Sequence, residues 1–159
     1  HMEFVIEPNQ LLDVKKFILE AKQRNQIQLT IADSIGYCSQ DELIMRNNSS
    51  TNGERVYLGC MAGCKAVAIE SNGDVKGCLS LQNERFIEGN IRERSLKDIW
   101  TDKKSFNYNR NFNSESLDGY CSKCVYANIC RGGCTSLAYN TSGHINNNNY
   151  CMHIMEQRW

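Results

Sequence analysis

Residues 121–134 read CSKCVYANICRGGC, which places four cysteines in the spacing C-x2-C-x5-C-x3-C. Thiolates two or three residues apart can reach one metal centre, while the backbone between them turns and directs N–H groups toward the sulfur atoms. Because a segment of this length cannot enclose a sizeable apolar core, metal–sulfur bonds must supply much of its folding free energy. This segment, called the knot below, therefore predicts a metal centre.

Five further cysteines lie outside the knot. Cys60, Cys64 and Cys78 flank a predicted hairpin, Cys151 stands near the end of the chain, and Cys38 lies in an early loop. The chain has nine cysteines and no predicted secretion signal, which favours a reducing compartment and metal ligation over disulfide bonds. Cys38 is interpreted as a small buried residue, since cysteine is often buried as a hydrophobe.

The identity of the metal stays open on ligand type alone, because thiolates suit both zinc and iron–sulfur clusters. Eight of the cysteines could form two closed zinc sites of four sulfurs each. The knot is denser than the two separated knuckles of a zinc ribbon, and it contains no histidine. His144 and His153 are interpreted as a loop residue and a helix-face residue.

The composition excludes several classes of partner. The 18 basic and 18 acidic residues cancel, so no net field draws the chain toward nucleic acid or anionic lipid. No stretch approaches the roughly 20 apolar residues that a membrane-spanning helix needs. We therefore expect a cytoplasmic chain that binds neither nucleic acid nor membrane.

The leading section predicts one helix and one strand. Apolar residues recur at helical spacing from Leu11 to Ala21, and Ile27, Leu29 and Ile31 alternate with polar residues as in a strand. Such a pair cannot bury its own apolar faces. We expect it either to belong to a larger sheet or to pack on later parts of the chain.

The later part of the chain carries stronger local signals. Asn72-Gly73 between the strand-like runs 66–70 and 75–78 predicts a β-hairpin, because both turn residues tolerate positive φ. Ser95 predicts the cap of a short helix through Trp100 whose buried stripe includes Leu96 and Ile99. A last short helix is predicted over about residues 150–157. Residues 37–55 are predicted as a loop or linker and 146–149 as a solvated loop, and the segment 103–119 is again polar and rich in asparagine.

The cysteine pattern resembles the SPASM domains of radical SAM enzymes that modify peptides and proteins. In that family a cysteine and a glycine precede a second cysteine by set distances, and here Cys60, Gly73 and Cys78 match. The knot matches the following C-x2-C-x5-C-x3-C in every spacing, and Cys151 supplies the last cysteine. The resemblance extends over residues 59–153.

The resemblance implies two auxiliary [4Fe–4S] clusters with interleaved ligands. Cys134, although part of the knot, would ligate the cluster at the hairpin site, and Cys151 from the end of the chain would be the fourth ligand at the knot site. Cys64 is the candidate fourth ligand of the hairpin site, with an open iron as the alternative. The implied ligands are Cys60, Cys64, Cys78 and Cys134 for cluster I, and Cys121, Cys124, Cys130 and Cys151 for cluster II.

One departure from the family concerns activity. The radical-generating cluster needs C-x3-C-x2-C, but Val67 stands where Cys60 and Cys64 would require a third cysteine, and Leu137 stands at the equivalent place after the knot. No catalytic residue is therefore predicted in this fragment. We expect S-adenosylmethionine to bind only in an N-terminal core domain absent from this sequence, and the fragment to be inactive alone.

The resulting prediction is an α+β fold: a small cysteine-rich domain with a β-hairpin and short helices folded around two metal clusters, preceded by a helix–strand remnant of a radical SAM partial barrel. The predicted organisation is a tag scar at 1–2, the end of the barrel at 3–37, a linker at 38–58 and the SPASM domain at 59–159. The implied partners are the missing core and a peptide or protein substrate. The alternative function is a structural zinc module that serves as an interaction surface.

Overall fold

The structure of the chain is a computed structural model that describes residues 5–37, 39–47 and 56–157. Its fold is small and of the predicted α+β class, with short helices and one three-stranded antiparallel sheet. The helices are α1 (Leu11–Arg24), α2 (Glu42–Arg46), α3 (Leu96–Thr101), α4 (Asn107–Arg110), α5 (Ala127–Cys130), α6 (Thr135–Ser142) and α7 (Met152–Gln157). The strands are β1 (Ala68–Ile69), β2 (Asp74–Lys76) and β3 (Gly89–Asn90). The 3-10 turns are Pro8–Gln10, Asp33–Ile35, Ser39–Asp41, Glu84–Phe86, Ser114–Ser116 and Cys121–Lys123.

The predicted hairpin is confirmed. Strands β1 and β2 pair antiparallel, with Ala68 opposite Lys76 and Ile69 opposite Val75. Gly73 in the turn has a φ of 95°, a backbone conformation that glycine adopts readily and that would be strained in a residue with a side chain. The third strand, β3, pairs with β2 on its other edge and was not predicted, since two residues carry too little pattern to be recognised.

The predicted helix after Ser95 is also confirmed. The backbone N–H of Asp98 donates to the Ser95 hydroxyl oxygen at 3.1 Å, so the cap forms as expected. Ile99 is fully buried and packs with Val75 of β2 and with Phe106 in one apolar core. The prediction that Leu96 is buried is wrong, because this residue is 36 % exposed on the outer face of the helix.

The leading section packs on the end of the chain. Helix α1 contributes Leu11 and Ile18 to a second core that includes Met45 of α2 and Met152 of α7. Beside this core the Lys15 ammonium group contacts the carboxylates of Asp41 and Glu156. Helix α1 therefore packs on later parts of the chain, which was one of the two alternatives expected for the leading section.

Three local predictions are wrong. The strand expected over 27–31 is not formed, because these residues have no strand partner within the described ranges, and a strand needs one for its hydrogen bonds. The segment 37–55, predicted as a loop or linker, contains the 3-10 turn Ser39–Asp41 and helix α2 among its described residues. Residues 48–55 and Cys38 lie outside the described residues. The run 146–149 is not simply solvated, since Asn148 is only 2 % exposed.

Among the described helices, none has the length and apolar content needed to cross a lipid bilayer.

Candidate metal centre

The knot is built from two tight turns. Cys121–Lys123 form a 3-10 turn and Ala127–Cys130 form α5. Arg131, Gly132 and Gly133 then follow with φ values of 55°, 78° and 81°, so three successive residues adopt the left-handed conformation. Such a run reverses the chain between Cys130 and Cys134 instead of continuing the helix.

The glycine pair is also required by close packing. A Cβ added at Gly133 would lie 2.5 Å from the Asn148 side-chain nitrogen, and one at Gly132 would lie 3.0 Å from a Leu117 methyl carbon. The buried Asn148 therefore fills the concave side of the knot. Its side-chain oxygen accepts from the backbone N–H of Tyr150 at 2.9 Å, which fixes the chain directly before Cys151.

Cys134 meets Cys60 from the hairpin side. The two side chains are hydrogen-bonded, which lowers the pKa of Cys60 and raises that of Cys134. For Cys60 the pKa falls to about 5, with Thr135 adding to the effect. Because this hydrogen bond brings their sulfurs into contact, the two thiols are close enough to ligate a common centre.

The other knot cysteines interact with Cys151. Burial raises the pKa of Cys130 to about 12, and the negative charges of Cys151, Cys121 and Cys124 add to that rise. Burial likewise raises the pKa of Cys151 to about 11, with further contributions from Cys121 and Cys124. These four sulfurs therefore lie within one another's electrostatic reach, at a site different from that of Cys60 and Cys134.

Backbone N–H groups point at the hairpin-side sulfurs. Ser80 N–H donates to the Cys78 sulfur at 3.4 Å. The backbone N–H groups of Ala62 and Thr135 favour the Cys60 thiolate, and that of Leu137 favours the Cys134 thiolate. Amide donors of this kind stabilise negative charge on a thiolate or on a cluster bound to it.

The knot-side sulfurs are served in the same way. Tyr126 N–H donates to the Cys124 sulfur at 3.4 Å, and the Asn148 N–H favours the Cys121 thiolate. The N–H groups of Ile154 and His153, at the start of α7, favour the Cys151 thiolate. Short segments from several parts of the chain therefore each direct a backbone N–H group at a cysteine sulfur.

Cys130 receives its amide donor from the leading section. The Tyr37 backbone N–H favours the Cys130 thiolate, and the Tyr37 ring lies 4.5 Å from the ring of Tyr126. No local pattern indicated this contact, because the two residues are distant along the chain and Tyr37 falls in a segment predicted as a loop. The leading section thus contacts the knot as well as α7.

Cys64 lies in a tight turn with Cys60. The Cys64 N–H donates to the Met61 carbonyl at 3.0 Å, and Gly63 N–H donates to the Ala66 carbonyl at 2.7 Å. The side chain is partly buried.

Two histidines and one arginine are further candidates for site residues. His153 is 7 % exposed and its ring packs between Tyr120 and Tyr126, with the nearer centroid, that of Tyr126, at 4.8 Å. His144 is exposed. Arg131 places its guanidinium 5.4 Å from the centroid of the Phe112 ring. Within the described ranges, no three His, Cys, Asp or Glu side chains are arranged to hold a single metal ion.

Comparison with known proteins defines the class of this site. Residues 60–125 match the family model of SPASM, described as an iron–sulfur cluster-binding domain. This match confirms the resemblance to SPASM domains that the cysteine spacing predicted.

Two curated relatives extend this likeness. The chain is 32 % identical over 101 residues to the AdoMet-dependent heme synthase of Methanosarcina barkeri, covering 63 % of this chain and 27 % of that protein. It is 29 % identical over 83 residues to the mycofactocin maturase MftC of Mycolicibacterium smegmatis, covering 52 % of this chain and 20 % of the maturase. The matched region thus spans about a quarter of the length of these relatives.

Solved structures share the fold. Streptococcus suis SuiB bound to S-adenosylmethionine aligns over 91 % of this chain and 34 % of its own, with a TM-score of 0.55 and 23 % identity. Native anSMEcpe with bound AdoMet and the Cp18Cys peptide aligns over 96 % of this chain and 40 % of its own, with a TM-score of 0.51 and 21 % identity.

Proposed function

We propose that this SPASM domain holds two [4Fe–4S] clusters as the C-terminal auxiliary part of a radical SAM enzyme that modifies a peptide or protein. Cluster I, the hairpin cluster, takes Cys60, Cys64, Cys78 and Cys134, and cluster II, the knot cluster, takes Cys121, Cys124, Cys130 and Cys151. The observation that carries the proposal is that six of the eight thiols fall into two interacting groups. Cys134 interacts with Cys60, and Cys151 interacts with Cys121, Cys124 and Cys130.

The residues present fit iron–sulfur clusters in their chemistry. The proposed ligands are thiolates, and backbone N–H groups directed at the sulfurs compensate their negative charge. An iron–sulfur cluster also carries negative charge, and carries more of it when it is reduced. Bound clusters of this kind accept and pass electrons, or engage a substrate atom. The chain's own residues hold the ligands in place, since the left-handed run 131–133 separates Cys130 from Cys134 by turning the backbone.

The peptide or protein substrate is proposed from the relatives. One of them is named a maturase, and one structural neighbour was solved with a peptide bound. The rest of such an enzyme would supply the S-adenosylmethionine site, since no C-x3-C-x2-C occurs in this sequence. The thiol-rich composition suits the reducing cytoplasm, where we place the protein.

Anaerobic reconstitution tests the proposal. The chain is purified without oxygen, supplied with iron and sulfide, desalted, and analysed for iron, acid-labile sulfide and zinc. Two [4Fe–4S] clusters predict about eight irons and eight sulfides per chain, with a brown colour. About two zinc ions per chain without sulfide would instead support the structural zinc module, and the proposed function would be wrong.

A further inference from the structure

Tyr108 in α4 has a buried hydroxyl group that the fold does not use. Its ring packs edge-on against Phe86, with 5.4 Å between the ring centroids. Its oxygen is buried and, apart from the neighbouring backbone of Gly77, has no hydrogen-bond partner among the described residues, so the O–H proton has no acceptor there. Burying a hydroxyl without a partner costs free energy, so native proteins rarely tolerate it unless a ligand or water completes the bond.

The hydroxyl lies among the residues that precede two of the proposed ligands. The position that a Cβ of Gly77 would occupy is 2.4 Å from the Tyr108 oxygen and 2.9 Å from the backbone nitrogen of Gly63. Gly77 directly precedes Cys78, and Gly63 directly precedes Cys64. The hydroxyl therefore lies against Gly77, at the place where the loop that bears Cys78 approaches the loop that bears Cys64.

The electrostatics around Tyr108 agree with this placement. Burial raises the pKa of Tyr108, and the negative charges of Glu88, Cys60 and Cys78 raise it further, while the backbone of Gly77 partly opposes the rise. The hydroxyl thus lies close enough to Cys60 and Cys78 for their charges to act on it, and a neutral phenol offers one O–H donor.

We propose that the Tyr108 hydroxyl donates a hydrogen bond to the sulfur shell of the hairpin cluster and raises the reduction potential of that cluster. The inference rests on the proposed function, because it requires a cluster at Cys60 and Cys78. A donor at sulfur favours the reduced form, which carries more negative charge than the oxidised form. Tyr108 is then a positioning and tuning residue and not a ligand.

Tyr139 offers a matched control. It packs edge-on against the same Phe86 ring, with 4.9 Å between centroids, but lies on α6. Tyr139→Phe therefore removes a hydroxyl from the same aromatic group without removing the one that faces Cys60 and Cys78. Tyr108→Phe removes that hydroxyl and keeps the packed ring.

The test is a redox titration, followed by electron paramagnetic resonance, of the reconstituted wild-type chain, Tyr108→Phe and Tyr139→Phe. Iron and sulfide are counted first in each. We expect Tyr108→Phe to make reduction of the hairpin cluster about tenfold less favourable, a shift of about 59 mV for a one-electron couple, with full iron content. The knot cluster and Tyr139→Phe should show no shift.

Two results would overturn the inference while the proposed function stands: full iron content with an unchanged hairpin potential in Tyr108→Phe, or an equal shift in Tyr139→Phe. A wild-type chain that takes up no iron would instead overturn the proposed function. A second measurement guards against a purely structural effect. In D2O, the wild-type hairpin cluster should show one exchangeable deuteron coupling more than Tyr108→Phe, beyond those of the backbone amides that both chains keep, and identical deuteron couplings in the two would also count against the inference.

Discussion

Replacing Gly77 by alanine tests the packing that holds the hairpin site together. The added Cβ would lie 2.4 Å from the Tyr108 oxygen, 2.9 Å from Gly63 N and 3.0 Å from Ala62 C, and two of these neighbours are backbone atoms that cannot swing away. Gly77 is not among the positive-φ residues, so the cost is steric and not conformational. Overpacking of this kind costs about 1–3 kcal/mol, offset by about 0.4–1 kcal/mol from the smaller entropy of the unfolded chain.

A double-substitution cycle isolates this collision. Tyr108→Phe removes the nearest of the three atoms, so the combined variant should recover part of the stability lost in Gly77→Ala, while the two backbone contacts keep it below the wild type. Gly143→Ala is the control. Its φ is 76° and nothing lies within 4 Å of the added Cβ, so it carries backbone strain without a collision.

The assay is anaerobic urea denaturation of the reconstituted chains, followed by circular dichroism, with iron counted before each run. We expect Tyr108→Phe to restore stability to Gly77→Ala but not to Gly143→Ala. A Gly77→Ala variant as stable as the wild type, or equal effects of Tyr108→Phe in both backgrounds, would refute the reasoning about this contact.

Two further predictions concern the rest of the fold. Lys15→Met should lower the free energy of unfolding by about 1.5–3 kcal/mol at neutral pH, because it leaves two carboxylates without their cation. Burial lowers the pKa of Lys15, but its hydrogen bonds to Asp41 and Glu156 raise it more, so the folded pKa lies above the ordinary 10.5. From neutral pH up to 10.5 the stabilisation is thus complete, and it is lost as the pH rises through the folded pKa. Denaturation at several pH values from neutral upward should show the difference in stability between variant and wild type narrowing only above pH 10.5; a constant difference over that range would contradict this. Ile99→Ala should cost about 2–5 kcal/mol because Ile99 is fully buried, whereas the partly exposed Leu96→Ala should cost much less; equal midpoint shifts in urea denaturation would contradict the assigned core.

Local signals in the sequence predicted the elements that local chemistry determines. The Asn72-Gly73 turn defines the hairpin, and the Ser95 hydroxyl defines the start of α3, because each interaction is formed by residues close together in the chain. The strand expected over 27–31 failed for the complementary reason. A strand is stabilised by a partner, and alternation alone does not supply one.

The site was predictable in a different sense. The SPASM assignment follows from cysteine spacing together with Gly73, but the ligand sets came from the family resemblance and remain a proposal. The supporting parts of the site could not be inferred from the sequence. Asn148 lies in a run that looks solvated, and Tyr37 and Tyr108 reach the cysteines only through tertiary packing. The Gly132-Gly133 pair was the one available signal, since adjacent glycines indicate a close approach that Asn148 fills.

The interleaving of the two clusters is tested most directly by single cysteine substitutions compared in pairs. Cys134→Ala, Cys78→Ala, Cys130→Ala and Cys151→Ala are each reconstituted without oxygen, and their iron content and low-temperature electron paramagnetic resonance spectra are recorded after reduction. Interleaved ligation predicts that Cys134→Ala retains about four irons and gives the spectrum of Cys78→Ala, while Cys130→Ala gives the spectrum of Cys151→Ala. If Cys134→Ala instead reproduced the spectrum of Cys130→Ala, its neighbour in the knot, the two sites would not exchange ligands and the proposed interleaving would be wrong.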